Sequence, residues 1–231
     1  MGGYLATDEQ WEGFETDWQM VLNAFSVKAL HMKEFAHSRG EFKSWKGDEK
    51  RRAAFLGTLV EIIHKHDLEG FTFSLNVRHY RQLDKHFRLT ESVGPYAYTA
   101  LQAMSGIREW QRRYRPNDSV LYLIEHGDAD QERIRRWLDK DTSLNPKPTF
   151  LKKAWVENGV ERQCVPMQAS DFLAYEGAKA LTDWMKTGKQ IGRESLYRLS
   201  WVGKVERQPF NAYFQVEQLV AFIKGFRVRR R

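Results

Sequence analysis

Cysteine is nearly absent from this chain: Cys164 is the one such residue in 231. An internal disulfide is thereby excluded, and a reducing compartment is expected. Proline is sparse, six residues in all. No Pro-, Gly- or Ser-rich stretch divides the chain, so a single domain over residues 1–231 is expected. No segment approaches the roughly 18 apolar residues of a membrane span. Met1-Gly2-Gly3-Tyr4-Leu5-Ala6 lacks the basic-then-apolar order of a secretory signal. The expectation is a cytoplasmic protein without membrane contact. Also missing are CxxC, HExxH, P-loop, GxGxxG and GxSxG patterns. Zinc proteolysis, nucleoside triphosphate hydrolysis and serine-esterase chemistry therefore have no motif behind them.

What is there suffices for a core: 42% of residues are hydrophobic, with 8 Trp and 14 Phe, which sets the chain apart from disordered sequences. The formal charge of +7 admits a polyanion such as nucleic acid as partner, and equally a surface that is merely basic. Arginine gathers in two places. Arg108, Arg112, Arg113 and Arg115 lie late in one expected helix, where the dipole favours cations. Phe226-Arg227-Val228-Arg229-Arg230-Arg231 forms a basic C-terminal tail, suited to gripping phosphates without sequence preference or to staying solvated.

Alternation and periodicity predict strands alternating with helices. Gly2–Ala6 reads as a strand tail, followed by a helix capped by Thr7 or Asp8 and running to about Ala24, with Trp11, Phe14, Trp18, Val21 and Leu22 inward. Ser26 to Met32 reads as extended, with a polar loop to about Trp45. A helix from Asp48, a strand over Phe71–Val77 and a short helix over Arg78–Phe87 follow. Gly94-Pro95 opens a helix to Tyr114 with Ala100, Met104, Ile107 and Tyr114 inward. Val120–Ile124 is continuously apolar, as expected of a strand covered on both faces. Beyond it come a helix to about Asp139, a strand over Thr149–Ala154, the helix that Pro166 opens, and shorter helices over Glu194–Leu199 and Val216–Ile223. The pattern points to an α/β layer fold with a mixed sheet flanked by helices.

Two acids carry the chemical argument. Asp171 interrupts a small-residue helix face formed by Ala169, Ala174, Gly177, Ala178 and Leu181, and shares its side with Gln168 and Tyr175. A carboxylate beside so tight a surface needs a cation, a metal or donors to hold it. Glu125 follows the Val120–Ile124 run, at the carboxyl end of a strand, where ligands collect in open α/β sheets. Asp128 and Asp130 stand just beyond. If these acids converge, Mg²⁺ or Mn²⁺ is the expected ion, able to activate water on a phosphodiester. The alternative is a solvated strand end and a hydrogen-bonded helix residue. His31, near Glu34, is a candidate for proton transfer or for supporting such a site.

In order along the chain, Gly2-Gly3-Tyr4-Leu5-Ala6 with Trp11, Phe14 and Trp18; Leu30-His31-Met32-Lys33-Glu34-Phe35; Leu123-Ile124-Glu125-His126-Gly127-Asp128; Val165 through Glu176; and Arg193-Glu194-Ser195-Leu196 resemble a large bacterial family, domain of unknown function 3800. That resemblance implies a ribonuclease H-like mixed sheet with helical insertions, and places Glu125 and Asp171 at metal-binding positions; Asp128, just beyond the strand, is a candidate third ligand. The chain departs from the family pattern by lacking an Asp-Glu-Ser strand ahead of the double glycine. One acidic ligand and one central strand are expected to be absent with it.

Two functions follow as expectations. One is a Mg²⁺/Mn²⁺-dependent nuclease in which Glu125 and Asp171 bind metal and drive phosphodiester hydrolysis. The other is a non-catalytic module on the same fold that binds nucleic acid or protein. A sheet short of a strand also makes a homo-oligomer or a partner subunit an expectation.

Overall fold

The computed structural model describes residues 1–127, 130–139, 147–188, 199 and 210–214. They form a mixed α/β fold in which helices flank small β-sheets. The expected helices at Glu194–Leu199 (save Leu199) and Val216–Ile223, the Arg193–Leu196 element, Asp128 and the tail 226–231 lie outside the described residues. The chain divides into two compact units.

One unit comprises Gly2–Thr72 and Lys153–Phe210. Its strand β1 (Gly2–Leu5) leads into helix α1 (Asp8–Ala24). Thr7 caps that helix through a reciprocal box: Thr7 Oγ1 accepts the Gln10 amide at 3.3 Å, and Gln10 Oε1 accepts the Thr7 amide at 2.8 Å. Phe14, Trp18 and Leu22, spaced by four, are fully buried against Phe55, Leu59 and Ile63 of α3 (Glu49–Lys65). Asp48 caps α3 by accepting the Arg51 amide at 3.0 Å.

Between α1 and α3 the expected polar loop is instead α2 (Met32–Ala36) and a 3₁₀ helix over Gly40–Trp45. Phe35, Phe42, Trp45 and Phe55 meet there with ring centroids 5.1–6.4 Å apart, mostly edge to face. The guanidinium groups of Arg51 and Arg52 cover Trp45 and Phe35 at 4.3 and 4.2 Å. Polar neighbours thus shield an aromatic cluster, which is why the stretch looks like a loop in sequence.

The other unit comprises Met1, Phe73–Lys152 and Asn211–Arg231. It holds α4 (Val77–Phe87), α5 (Leu89–Ser92), α6 (Pro95–Tyr114), β3 (Leu123–Glu125), α7 (Gln131–Leu138) and β4 (Thr149–Leu151). Its core joins Tyr80, Ala97, Tyr98, Met104, Ile134 and Leu138. Strand β2 (Glu69–Leu75) runs from one unit into the other, pairing antiparallel with β1 (Tyr4 opposite Gly70) and bordering β7 (Phe210–Phe214) on its far side.

Two expectations need correction here. Val120–Ile124 is not covered on both faces: Leu121 and Leu123 are 58% and 47% exposed, while Tyr122 and Ile124 turn to the core. A parallel pair of three residues, β3 with β4, gives only one face a layer to pack on. Tyr114 is not inward either; it is 55% exposed.

A hairpin unforeseen in sequence, β5 (Ala154–Glu157) and β6 (Val160–Gln163), precedes α8 (Val165–Thr187). Its Asn158-Gly159 corner has φ of +51° and +76°, the positive pair that a two-residue turn demands. Among the described residues no helix is long and apolar enough to cross a membrane.

Candidate functional site

Helix α8 begins after Cys164, with Pro166 in its first turn, and stops at Gly188, which takes φ +65°. Its buried side carries Gln168, Ala169, Phe172 and Leu173. The helix lies so close to β1 that a Cβ at Gly2 would stand 2.7 Å from the backbone nitrogen of Ala174. This double-glycine strand is therefore a landing surface for α8.

On the same helix, Gln168 and Asp171 grip the segment Leu30–Met32. Gln168 Oε1 accepts two bonds, from the Leu30 amide at 2.8 Å and the Trp18 indole N–H at 3.1 Å. Asp171 Oδ2 accepts the Met32 amide at 2.9 Å, at the open N-terminus of α2, where His31 caps without a side-chain bond. Two side chains one helical turn apart thereby satisfy amides that a buried segment would otherwise leave unpaired.

Beside this bracket is a hollow of about 210 Å³, open mouth included, lined by Leu30, His31, Lys153, Cys164, Gln168 and Asp171 among others. Its interior has room for about one water molecule. Since two N–H donors converge on Gln168 Oε1, the amide cannot be reversed, and its Nε2 is buried without a hydrogen-bond partner. Burial pushes the Cys164 thiol up, an effect partly offset by the Met167 amide. A protonated thiol is a poor nucleophile and a poor metal ligand. Cys164 fits this setting as a small buried residue leading into the helix.

The structure brings His31 and Asp171 to the same hollow. The donor set there does not suit a hard divalent cation, which wants several oxygens turned toward it. Asp171 Oδ2 already serves Met32, Gln168 carries a buried N–H₂, and the other lining residues include the cationic Lys153 rather than a second carboxylate. Among the described residues, no group of three or more His, Cys, Asp or Glu side chains is arranged to hold a metal ion.

The other expected acids belong to the α6 unit. Glu125 ends β3 and is exposed. His126 continues the ladder by donating its amide to Leu151 O at 2.7 Å, and Gly127 turns the chain at φ +109°. Asp130 is engaged in holding the fold. Its Oδ2 accepts the amides of Tyr96 and Ala97 at 3.1 and 3.2 Å, at the N-terminus of α6, and its Oδ1 pairs with Arg133. It works as a cap supplied from outside the helix.

Sequence reasoning ranked Asp171 as a lone acid and overlooked Gln168 as a joint holder of Leu30–Met32; the spacing of three between them was the available signal. Comparison with protein-family models, curated proteins and solved structures finds no match for this chain.

Proposed function

We propose that this protein is a non-catalytic nucleic-acid-binding module, and that the α6 unit carries the interface. The supporting observation is where the charge lies. Met1, Phe73–Lys152 and Asn211–Arg231 contain 19 Lys and Arg against 11 Asp and Glu, a balance of +8; Gly2–Thr72 and Lys153–Phe210 contain 18 against 19, a balance of −1. The whole excess of the chain belongs to one unit.

The kind of cation differs as well. Arginine supplies 14 of the 19 in the α6 unit and 7 of the 18 in the other. Its planar fork matches phosphate oxygens in pairs, and it gives up hydration more readily than an ammonium. Arg78, Arg81, Arg88, Arg112, Arg113, Arg115, Arg135 and Arg136 are exposed. A polyanion displacing its counterions onto such a surface binds with a steep salt dependence.

We retain a ribonuclease H-like frame and kinship with domain of unknown function 3800 as part of the proposal. The helix motif around Asp171 on α8 is the feature that supports it.

Fluorescence anisotropy with labelled oligonucleotides between about 50 and 200 mM salt tests the reading. Affinity is expected to fall steeply with salt, and the double variant Arg135→Glu, Arg136→Glu to weaken binding far more than Lys46→Glu, Lys50→Glu in the other unit. Equal effects would remove the argument from charge. The same oligonucleotides incubated with Mn²⁺ test the nuclease alternative: cleavage abolished by Asp171→Asn would replace binding by catalysis.

A further inference from the structure

Helix α6 buries Ala97, Ala100, Ala103, Met104 and Ile107 at spacings of three and four. The same stripe continues through Trp110 and Tyr114, but the core does not. Trp110 is half-buried, Tyr114 is 55% exposed, and neither belongs to the core cluster that holds Ala97, Ala100 and Met104. Their rings instead meet each other, centroids 6.0 Å apart and tilted by 44°. The last turn of α6 thus carries an aromatic pair outside the core cluster of the described residues, with Tyr114 as its exposed member.

Arginines frame this pair. Arg112, Arg113 and Arg115 are exposed, and the Arg113 guanidinium lies 5.4 Å from the Tyr114 ring centroid. Two acids lie nearby: Glu109, which pairs with Arg112, and Asp118 in the following turn, whose amide donates to Arg115 O at 3.1 Å. The helix dipole accounts for cations at this end. It does not account for two large aromatic rings placed among them.

We propose that the Trp110–Tyr114 pair with Arg112, Arg113 and Arg115 is a stacking platform for single-stranded nucleic acid. This rests on the nucleic-acid reading above and names the surface and the substrate form. An aromatic face rewards a base whose own face is free, while guanidinium groups alongside hold the flanking phosphates. Duplex bases are stacked on one another and offer the rings nothing, so the platform selects unpaired strands. Every base has a π-face, so little sequence preference is expected. The charge balance of the unit favours this occupant over an apolar protein partner, for which three neighbouring guanidinium groups would be costly to desolvate.

The test uses the full chain and fluorescein-labelled oligo(dT), oligo(rU) and a mixed-sequence duplex, each about 20 nucleotides long, enough for one or more stacking sites. Wild type is expected to bind the single strands more tightly than the duplex at equal salt. Tyr114→Ala is expected to weaken single-strand binding roughly 5- to 30-fold, the loss of one stacked base. Tyr114→Phe keeps the ring and is expected to stay within about twofold of wild type. Arg113→Ala with Arg115→Ala is expected to lower the salt slope by about 1.4, two single-strand phosphate contacts. Tyr114 is exposed, so its variants test recognition rather than folding; melting curves matching wild type confirm that.

Single-strand binding unchanged by Tyr114→Ala would overturn the platform and leave the charge-based reading standing, as would tighter binding to duplex. No binding to any probe at about 50 mM salt would end both. The oligo(dT) and oligo(rU) arms show whether the strand is DNA or RNA.

Discussion

A Cβ added to Gly94 would overlap the carboxylate of Asp130. The φ of Gly94, −76°, is open to any residue, so the constraint is one of space. The carboxylate cannot step aside cheaply, because it is buried, bonded to the Tyr96 and Ala97 amides and paired with Arg133. Gly94→Ala is expected to destabilise the protein by about 1–3 kcal/mol, the usual cost of overfilling a packed site. Urea unfolding of Gly94→Ala, Asp130→Ala and the double variant measures it. The double variant should lose less than the two single losses added together; full additivity would mean that the residues do not compete for the same space.

Asp171 permits a second comparison. Asp171→Ala removes the acceptor for the Met32 amide and is expected to cost about 1.5–3 kcal/mol. Asp171→Asn keeps an acceptor oxygen in the same place and should lose about half of that or less. Both are read from urea midpoints at constant slope. If Asn proves as damaging as Ala, the negative charge matters more than the hydrogen bond, and a bound cation regains its claim.

Asp17 predicts an acid sensitivity. The Lys65 ammonium at 2.7 Å and His66 Nε2 at 2.6 Å hold its carboxyl below the ordinary value. A depressed carboxyl pKa in the folded state stabilises the fold at all pH above the unfolded value, about 3.9. That contribution is lost as pH falls from there through the lower folded value. The stability difference between wild type and Asp17→Asn should therefore be greatest near neutrality and shrink below about pH 4. Parallel curves from about pH 7 to about pH 3 would deny the coupling.

The thiol of Cys164 should be slow to react. Its pKa is raised by burial, so at about pH 7 little thiolate exists and access is limited. An aromatic disulfide reagent should modify it far more slowly than free cysteine, with the rate recovering in denaturant. Fast labelling of the native protein would mean that the hollow opens readily.

Much of the frame was legible in the sequence because local chemistry settled it. Thr7, one of the two caps expected for α1, the start of α3 at Asp48, Gly94-Pro95 at the start of α6 and Pro166 in the first turn of α8 all stand where the residues placed them. The turn at Asn158-Gly159 was equally local, and its flanking β-prone residues were the missed signal. Tertiary facts were harder to read. The apolar run before Glu125 does not say how many layers cover it, and Leu121 and Leu123 show that one face has none.

The same holds for the site. Asp171 stood out as an acid among small residues, but its partner is a backbone amide 139 residues away, and a main-chain N–H carries no letter in the sequence. Charge was legible in total and in its arginine clusters, but its division between the two units was not.

The grip of α8 on its neighbours has a mechanical consequence. A slip by one residue would move the helix about 1.5 Å and turn it about 100°, dragging Gln168 and Asp171 off the Leu30 and Met32 amides together and putting the larger Leu173 or Tyr175 where Ala174 meets Gly2. Small adjustments are thus blocked, and release has to be all or nothing. Deuterium should enter at Leu30 and Met32 through one shared opening, with the Trp18 indole proton exchanging on the same clock.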